Sequence, residues 1–440
     1  MTEPPREALA RCAHPYFAAC HQALIDELPM ERSTKPISYE STRISLPPWA
    51  EDLGVGEPAI IVVPAYCVCD GEAPAWQRVD WIRAALGMLT SQPERHFESA
   101  HGPSHSYAYR LPIEIRPQWE RAWVNRICLF LRRWIARRAD AEEARLFPTI
   151  PSGRVHLTHD VDYIRKTLPL RLKQTAFLAF NVLRAVAHLD MERVSQLARR
   201  MLVFGVGRAN YWQFERILEL EQRAGRVSSW FFYGGGSGWS RGPLAWLLDP
   251  SYDVSHTRVA NQLRRLRDLG HRVGLHQSYY CWRDAKMMGQ ERHAIERALG
   301  SPVDACRQHW LRFSFEQTWS TQECAGLRMD MTLGFNERPG FRNSAALRTP
   351  AWLAREARFS DTLEVLPLVL MDSHLHDYGQ HAAPERRAII DRLLDEIAFV
   401  GGEATVVWHQ RVFHPDYGWG EDYEYLLDAV VRRFPQSDSH

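Results

Sequence analysis

Two aspartates, two positions apart, follow an apolar segment in the middle of the chain. Residues 154–157 are predicted to form a strand that leads into Asp160 and Asp162. Residues i and i+2 of an extended chain point the same way, so both carboxylates can converge on one small volume beyond the strand. One could bind a cation while the other stays free as a base. The alternative is structural, because an aspartate after a strand commonly caps the next helix.

Three further polar residues lie at or near the ends of predicted strands. His276 ends an apolar run, and histidine is a common neutral nitrogen ligand for zinc-like ions. Arg307 could hold a carboxylate by paired hydrogen bonds, and His409 could act as a general acid because histidine exchanges protons near neutral pH. Each residue alone is equally compatible with a structural role. Together with the two aspartates they form a constellation typical of metal-dependent hydrolases.

The elements that must position these residues follow a regular alternation from about residue 150 onward. Helical patterns at 210–224 and 258–269 end at glycines and lie between short apolar runs. The alternation predicts an α/β fold with a parallel sheet or barrel, in which functional groups gather at the carboxyl ends of the strands. The predicted strands are 154–157, 228–233, 271–275, 327–331, 363–370 and 404–408.

The length of 440 residues exceeds one ordinary core, and two domains are the default. Residues 147–153 (FPTIPSG) carry the prolines and glycine typical of a boundary. We therefore predict a smaller N-terminal α/β domain at 1–150, with no role assigned to it, and a catalytic domain at 151–440. An apolar run at 59–63 predicts a buried strand in the first domain.

One segment, residues 166–204, departs from the alternation and is predicted to be a helical insertion. Its apolar residues stand among basic ones, so it could contact a membrane surface or a protein partner peripherally. The alternative is a helical hairpin packed on the barrel, because many surface helices are amphipathic.

Composition narrows the class of partner. The 54 basic and 53 acidic residues give a net charge of +1, so no global field draws the chain to nucleic acid or to an anionic membrane. No secretory signal pattern and no run of 18 apolar residues is evident, so we expect a cytoplasmic protein without a transmembrane segment. A small or neutral partner fits this composition better.

The segments that carry the polar residues resemble the motifs of the polysaccharide deacetylase family, the NodB-homology domain of carbohydrate esterase family four. Residues 158–162 (THDVD) resemble the first motif and 274–280 (GLHQSYY) the second. The resemblance covers roughly residues 154–434. It implies a distorted (β/α) barrel. It also implies that a divalent metal, for which zinc is the first expectation, is used to remove an N-acetyl group from an amino sugar or oligosaccharide.

The resemblance also implies roles for single residues. Asp160 would be the base and Asp162 a metal ligand, while Arg307, Asp330 and His409 match the third, fourth and fifth motifs. The segments 330–335, 339–342 and 366–372 resemble a bacterial subgroup linked to surface-polysaccharide gene clusters, in which an extra N-terminal domain precedes the barrel. A surface polysaccharide or its precursor is therefore the implied substrate.

One position departs from the family pattern. The second motif usually supplies two histidines four residues apart, and Tyr280, a poor zinc ligand, stands at the second position. His309 is our first candidate for the missing third ligand, and His256 is the second. Candidate sugar contacts, which could equally be core residues where they are aromatic, are Trp310, Arg312, Tyr279, Arg342, Phe341 and Trp408.

Two other functions remain open. Asp160-Val-Asp162 could be the DxD sequence of a glycosyltransferase that holds a divalent ion and a nucleotide diphosphate, although this leaves His276 and His409 without a role. A protein that binds carbohydrate without hydrolysing it is the second possibility, and Tyr280 is the observation that motivates it. The oligomeric state does not follow from the sequence.

Overall fold

The computed structural model describes residues 5–17, 28, 31–187, 189, 191–206, 208–236, 242–379 and 381–435. Contacts divide the chain into two compact units. The first comprises Met1–His156, Trp310–Val406 and Ala429–His440, and the second comprises Leu157–His309 and Val407–Asp428. The predicted domain boundary near residue 150 stays a prediction, because compactness alone does not show which segments fold by themselves.

The elements alternate along the chain as follows. The strands are β1 Ser41–Ser45, β2 Ile60–Pro64, β3 Arg154–Val161, β4 Ser229–Tyr233, β5 Arg272–Gln277, β6 Ala305–Gln308, β7 Met329–Asp330, β8 Thr349–Leu353, β9 Arg358–Val365, β10 Leu368–Met371 and β11 Glu403–Val407. The helices are α1 Pro5–Cys12, α2 His14–Phe17, α3 Trp81–Leu89, α4 Gln92–His101, α5 Trp123–Arg138, α6 Glu143–Leu146, α7 Leu168–Ala187, α8 Met191–Gly205, α9 Phe214–Arg223, α10 Pro243–Leu248, α11 Thr257–Asp268, α12 Ala285–Leu299, α13 Thr318–Cys324, α14 Ala383–Val400 and α15 Gly420–Arg433.

Strand pairing confirms the predicted α/β class. In the first unit β7, β9 and β8 are neighbouring strands, and β10 lies beside β11. In the second unit β3, β4, β5 and β6 are consecutive parallel neighbours, with Asp160 opposite Phe231 and His276 opposite Arg307. All five residues of β4 are buried, which is typical of a parallel strand covered on both faces.

Two strand predictions were wrong in their extent. The strand predicted at 154–157 continues as β3 to Val161, so Asp160 lies within it and Asp162 directly after it. The single strand predicted at 363–370 is two strands, β9 and β10, because Pro367 between them has no backbone N–H to donate to a sheet.

The first unit has a core shared by residues from distant parts of the sequence. Trp119 packs on Phe335 with ring centroids 4.4 Å apart. The buried Arg342 forms an ion pair with Glu94 of α4, and the two groups are 3.0 Å apart. Residues before 150 are thus packed with residues 310–406 in this unit.

The insertion predicted at 166–204 is a pair of helices, α7 and α8, that contact each other along their length. Helix α7 also contacts the short helix α10. Within the described residues, no helix combines the length and the apolarity that crossing a bilayer would need.

A buried polar network is centred on Glu221 of α9. His159 Nε2 lies 2.9 Å from one carboxylate oxygen, and the Tyr423 hydroxyl donates to the same oxygen at 2.6 Å. The Ser228 hydroxyl donates to the other oxygen at 2.7 Å. Because adjacent residues of a strand point to opposite faces, the side chains of His159 and Asp160 lie on opposite faces of β3. The network joins α9 and α15 to β3 in the second unit.

Candidate metal centre

Three side chains that can bind a metal meet at the carboxyl ends of β3, β5 and β6. Ligand atoms of Asp162, His276 and His309 lie within 4.8 Å of one another, and all three residues are buried. His276 Nε2 is 3.1 Å from Asp162 Oδ1, and His309 Nε2 is 3.8 Å from the same oxygen. The parallel strands produce this arrangement, because their carboxyl ends lie at one edge of the sheet.

Both histidines are oriented through their second ring nitrogen. His276 Nδ1 lies 3.0 Å from the backbone carbonyl oxygen of Arg307, and His309 Nδ1 lies 3.2 Å from Asp249 Oδ1. Asp249 is fixed in turn, because it accepts a hydrogen bond from the backbone N–H of Tyr279 at 2.8 Å. A histidine that donates from Nδ1 in this way presents Nε2 with its lone pair, which is the usual arrangement of metal-binding histidines.

The charges around Asp162 keep it ionised. Burial opposes its ionisation, but the neighbouring Arg411 and His409 outweigh burial and hold the pKa of the Asp162 carboxyl well below its usual range. Arg411 contacts Oδ2, and His409 Nε2 lies 3.6 Å from the same oxygen. The other carboxylate oxygen of Asp162, Oδ1, faces His276.

The two histidines differ in their affinity for protons. Burial would lower the pKa of His276, but the carboxylates of Asp160 and Asp162 raise it above its ordinary value. Burial lowers the pKa of His309 despite its contact with Asp249. His309 therefore favours the neutral form that a metal requires, whereas a metal at His276 would displace a proton.

Asp160 forms a separate ion pair beside this cluster. Arg307 Nη1 donates to Asp160 Oδ1 at 2.8 Å and to the Thr158 hydroxyl at 2.8 Å. Burial raises the pKa of Asp160, but Arg307 outweighs burial and the net shift is downward. The Arg307 guanidinium lies over the ring of Phe231. A side chain at position 274 would collide with that ring, so Gly274 leaves the space in which this support is built.

The donor set fits a zinc-like ion. Asp162 Oδ1 and His276 Nε2 are buried and face each other at 3.1 Å, and within the described residues neither forms a hydrogen bond with any other group. Buried polar atoms usually bind further partners. One carboxylate and two imidazoles are three ligands, the number that catalytic zinc sites use while keeping a position open for water. His309 lies where such a ligand is needed, whereas His256 is exposed at the start of α11.

Two other predicted substrate contacts lie in the second unit. Trp408 is buried, and its ring N–H donates to the carbonyl oxygen of Trp419, so its face packs inside the protein. Tyr279 is half-buried and lies directly after the strand end that carries His276. Tyr280, which stands at the position of the second family histidine, is 38% exposed. Tyr279 thus remains the better placed of these aromatic residues.

Five predicted site residues belong to the first unit, and one of them, Phe341, is fully buried in the core. Asp330 is buried and accepts hydrogen bonds from Trp319 and Gln322, and Arg342 is buried against Glu94. All three guanidinium nitrogens of Arg342 bind protein acceptors, so we do not include it in the proposed site. The other two, Trp310 and Arg312, are half-buried, and their role in sugar binding stays a prediction, as does the catalytic role of Asp330.

Three residues in this region were missed by the sequence reasoning. Arg411 follows His409 by two positions but lies in the 3-10 turn Gln410–Phe413, where the strand alternation that pairs Asp160 with Asp162 does not apply. No local pattern marks Asp249, which follows helix α10. Lys173 of α7 donates to the Tyr163 hydroxyl at 3.0 Å, and burial together with Arg411 lowers the pKa of this lysine to about 8.

We expect Asp249→Asn to weaken metal binding by roughly 10- to 100-fold, because the variant removes the charge that orients His309. Competition with a chelator of known affinity measures the dissociation constant. Asp253→Asn is the matched control, since Asp253 is an exposed aspartate four residues away. An unchanged affinity in Asp249→Asn would exclude His309 as a ligand held by this carboxylate.

Comparison with known proteins gives structural neighbours only. No family model and no curated protein sequence matches the chain. A Mycobacterium smegmatis protein assigned as a polysaccharide deacetylase is 15% identical with a TM-score of 0.36, over 66% of this chain and 87% of the other. A family four carbohydrate esterase from Streptomyces lividans, solved with acetate, is 10% identical with a TM-score of 0.29, over 64% and 88% of the two chains.

A third neighbour is a pseudoenzyme of the same family from Bacillus anthracis. It is 10% identical with a TM-score of 0.29, over 64% of this chain and 66% of the other. Likeness at this level carries no argument about activity. The solved structures to which the chain is similar are polysaccharide deacetylases and carbohydrate esterases of family four, the family that the sequence motifs resemble.

Proposed function

We propose that this protein is a metal-dependent hydrolase that removes an N-acetyl group from an amino sugar of a surface polysaccharide or its precursor. The observation that carries the proposal is the cluster of Asp162, His276 and His309 beside the ion pair of Asp160 and Arg307. A structural role would require neither two buried histidines whose Nε2 atoms face the same carboxylate oxygen nor a second ionised carboxylate next to them. The reaction class and the amino-sugar substrate in this proposal are taken from the resemblance of the sequence motifs to the family.

The candidate ligands would hold the ion, with zinc as the first expectation from the donor set. A bound zinc ion supplies a more acidic water and a Lewis acid for the acetamide carbonyl. Asp162 and His276 stand at the ends of β3 and β5 with their ligand atoms 3.1 Å apart, so these two groups together with His309 would hold the ion there.

Two residues of the chain move protons in this proposal. Asp160 accepts the proton of the attacking water at its carboxylate, and Arg307 keeps that carboxylate ionised and oriented. His409, whose Nε2 lies near Asp162, donates a proton to the leaving amine of the sugar. Water attacks the acetyl carbon, the C–N bond breaks, and acetate and a free amino sugar are released.

Metal content tests the proposal first. We expect elemental analysis to find near one zinc-like ion per wild-type chain and almost none in Asp162→Ala or His276→Ala, because each change removes a ligand. His293→Ala is the control, since His293 is exposed on α12. Acetate release from N-acetylated oligosaccharides is then measured on the metal-loaded protein.

Other outcomes favour other functions. A protein that binds no metal after supply of zinc, cobalt or nickel, yet binds the sugar, would be a binding protein, as Tyr280 suggests for this position. Turnover of a nucleotide sugar that depends on manganese would favour a glycosyltransferase. The two histidines in the cluster argue against that reading, because a DxD site needs carboxylates alone.

A further inference from the structure

An exposed apolar surface covers the outside of the helical pair in the second unit. Ten of the nineteen large apolar side chains that are exposed in the described part of the chain belong to this pair. Scattered exposed apolar residues are normal, but a concentration of this kind marks an interaction site. We call the following residues the hairpin face: Leu168, Leu172, Phe180, Leu183, Val186, Leu189, Met191, Leu202, Val203 and Val206.

The exposed face of helix α7 is more apolar than its buried face. Its exposed stripe contains Leu168, Leu172, Phe180 and Leu183, whose separations of four, eight and three residues place them on one helix face. The opposite face is buried and includes two amides. In a surface helix that packs only against its own protein, the apolar stripe faces the core. The buried positions are Leu170, Gln174, Leu178, Asn181 and Ala185.

The charge of the same segment is strongly asymmetric. Residues 165–208 contain nine Lys or Arg and two Asp or Glu, a net charge of +7 in a chain whose total is +1. Two of these cations face inward, because Lys166 is paired with Asp416 and Lys173 donates to Tyr163, so at most +5 of this charge is available to a partner. The remaining residues are therefore net acidic, at −6. A basic segment with a large apolar face is the composition of helices that lie in the interface of an anionic membrane.

We propose that the hairpin face binds an anionic lipid surface, lying in the interface without crossing it. The absence of a spanning helix among the described residues agrees with a peripheral arrangement. A second copy of the chain fits less well, because a two-fold interface would place one basic segment against another. Anionic headgroups instead neutralise this charge while the apolar side chains leave water.

Sedimentation with vesicles tests the proposal on the full-length protein. We expect binding to phosphatidylcholine vesicles that contain phosphatidylglycerol, and much weaker binding to pure phosphatidylcholine. Leu172→Glu combined with Leu183→Glu should weaken binding by roughly tenfold or more, because it places two charges where apolar side chains enter the interface. Both leucines are more than half exposed, at 52% and 68%, so the change should leave Tm unaltered.

The matched control is Leu269→Glu, at a leucine of the same unit that is also 52% exposed but lies outside the hairpin face. It should bind vesicles as the wild type does. Wild-type protein that stays in the supernatant with anionic vesicles would overturn the proposal, as would full binding by the double variant. A wild-type dimer that this variant dissociates, with no vesicle binding, would show instead that the face binds a second copy. These outcomes do not depend on the proposed hydrolase activity.

Discussion

Asp160→Asn is expected to lower the rate of acetate release by about 10²- to 10⁴-fold while the protein retains its metal. Asparagine has nearly the same shape, and its side-chain oxygen can still accept the hydrogen bond from Arg307, but it cannot take a proton from water. The three candidate ligands are untouched. Turnover and metal content are measured on the same preparation, with the acetylated sugar that the wild type hydrolyses.

Asp304→Asn is the control for this change, because Asp304 is exposed in the same unit, one residue before β6. It should keep wild-type turnover. A loss of activity in Asp160→Asn that is accompanied by loss of the metal would assign Asp160 to the ligand set. Full turnover in Asp160→Asn would remove it from the mechanism altogether.

Glu221→Ala is expected to lower the free energy of unfolding by about 3–5 kcal/mol, because it leaves the buried partners of the carboxylate without their acceptor. Glu221 is fully buried and binds His159, Ser228 and Tyr423. Chemical denaturation measures the difference. Glu219→Ala is the control, since Glu219 is exposed on the same helix and the same change of residue affects helix propensity equally.

The stabilisation from Glu221 should also depend on pH. Burial opposes ionisation, but His159 and the hydrogen bonds of Tyr423 and Ser228 outweigh it, so the pKa of Glu221 lies below its ordinary value of 4.5. A depressed pKa contributes stability above the unfolded value that is lost as pH falls through the folded value. The difference in the free energy of unfolding between wild type and Glu221→Ala should therefore become smaller below about pH 4.5. A difference that grows as the pH falls would contradict an ionised Glu221.

Parts of the site could be predicted because they follow from local chain geometry. Asp162 and His276 each stand at the end of an apolar run, and parallel strands bring such ends together. Arg411 lies in the turn Gln410–Phe413 after β11, so strand alternation does not predict where its side chain points. Asp249 could not be predicted either, because its contact with His309 joins two distant positions that no local pattern connects.

The limits of the fold prediction have a similar cause. Helix and strand patterns are local, so the α/β class and elements such as α3 could be predicted from them. The packing of Trp119 on Phe335 depends on contacts across more than two hundred residues, which periodicity does not encode. The aromatic Trp408 shows the same limit, since its residue type fits a sugar platform and a core equally.

The interleaved order of the two units constrains how the protein is made. The first unit contains residues 1–156, but it remains incomplete until residues 310–406 and 429–440 have been synthesised. The second unit is complete only after residues 407–428 have been added. Neither can be completed on the ribosome until most of the chain has been translated, and nascent intermediates with unfinished sheets are prone to aggregation. The candidate ligands emerge earlier, since position 309 is synthesised about one hundred residues before His409 and Arg411. The three candidate ligands are therefore all present in the nascent chain before His409 and Arg411, which lie beside Asp162 in the folded protein, have been synthesised.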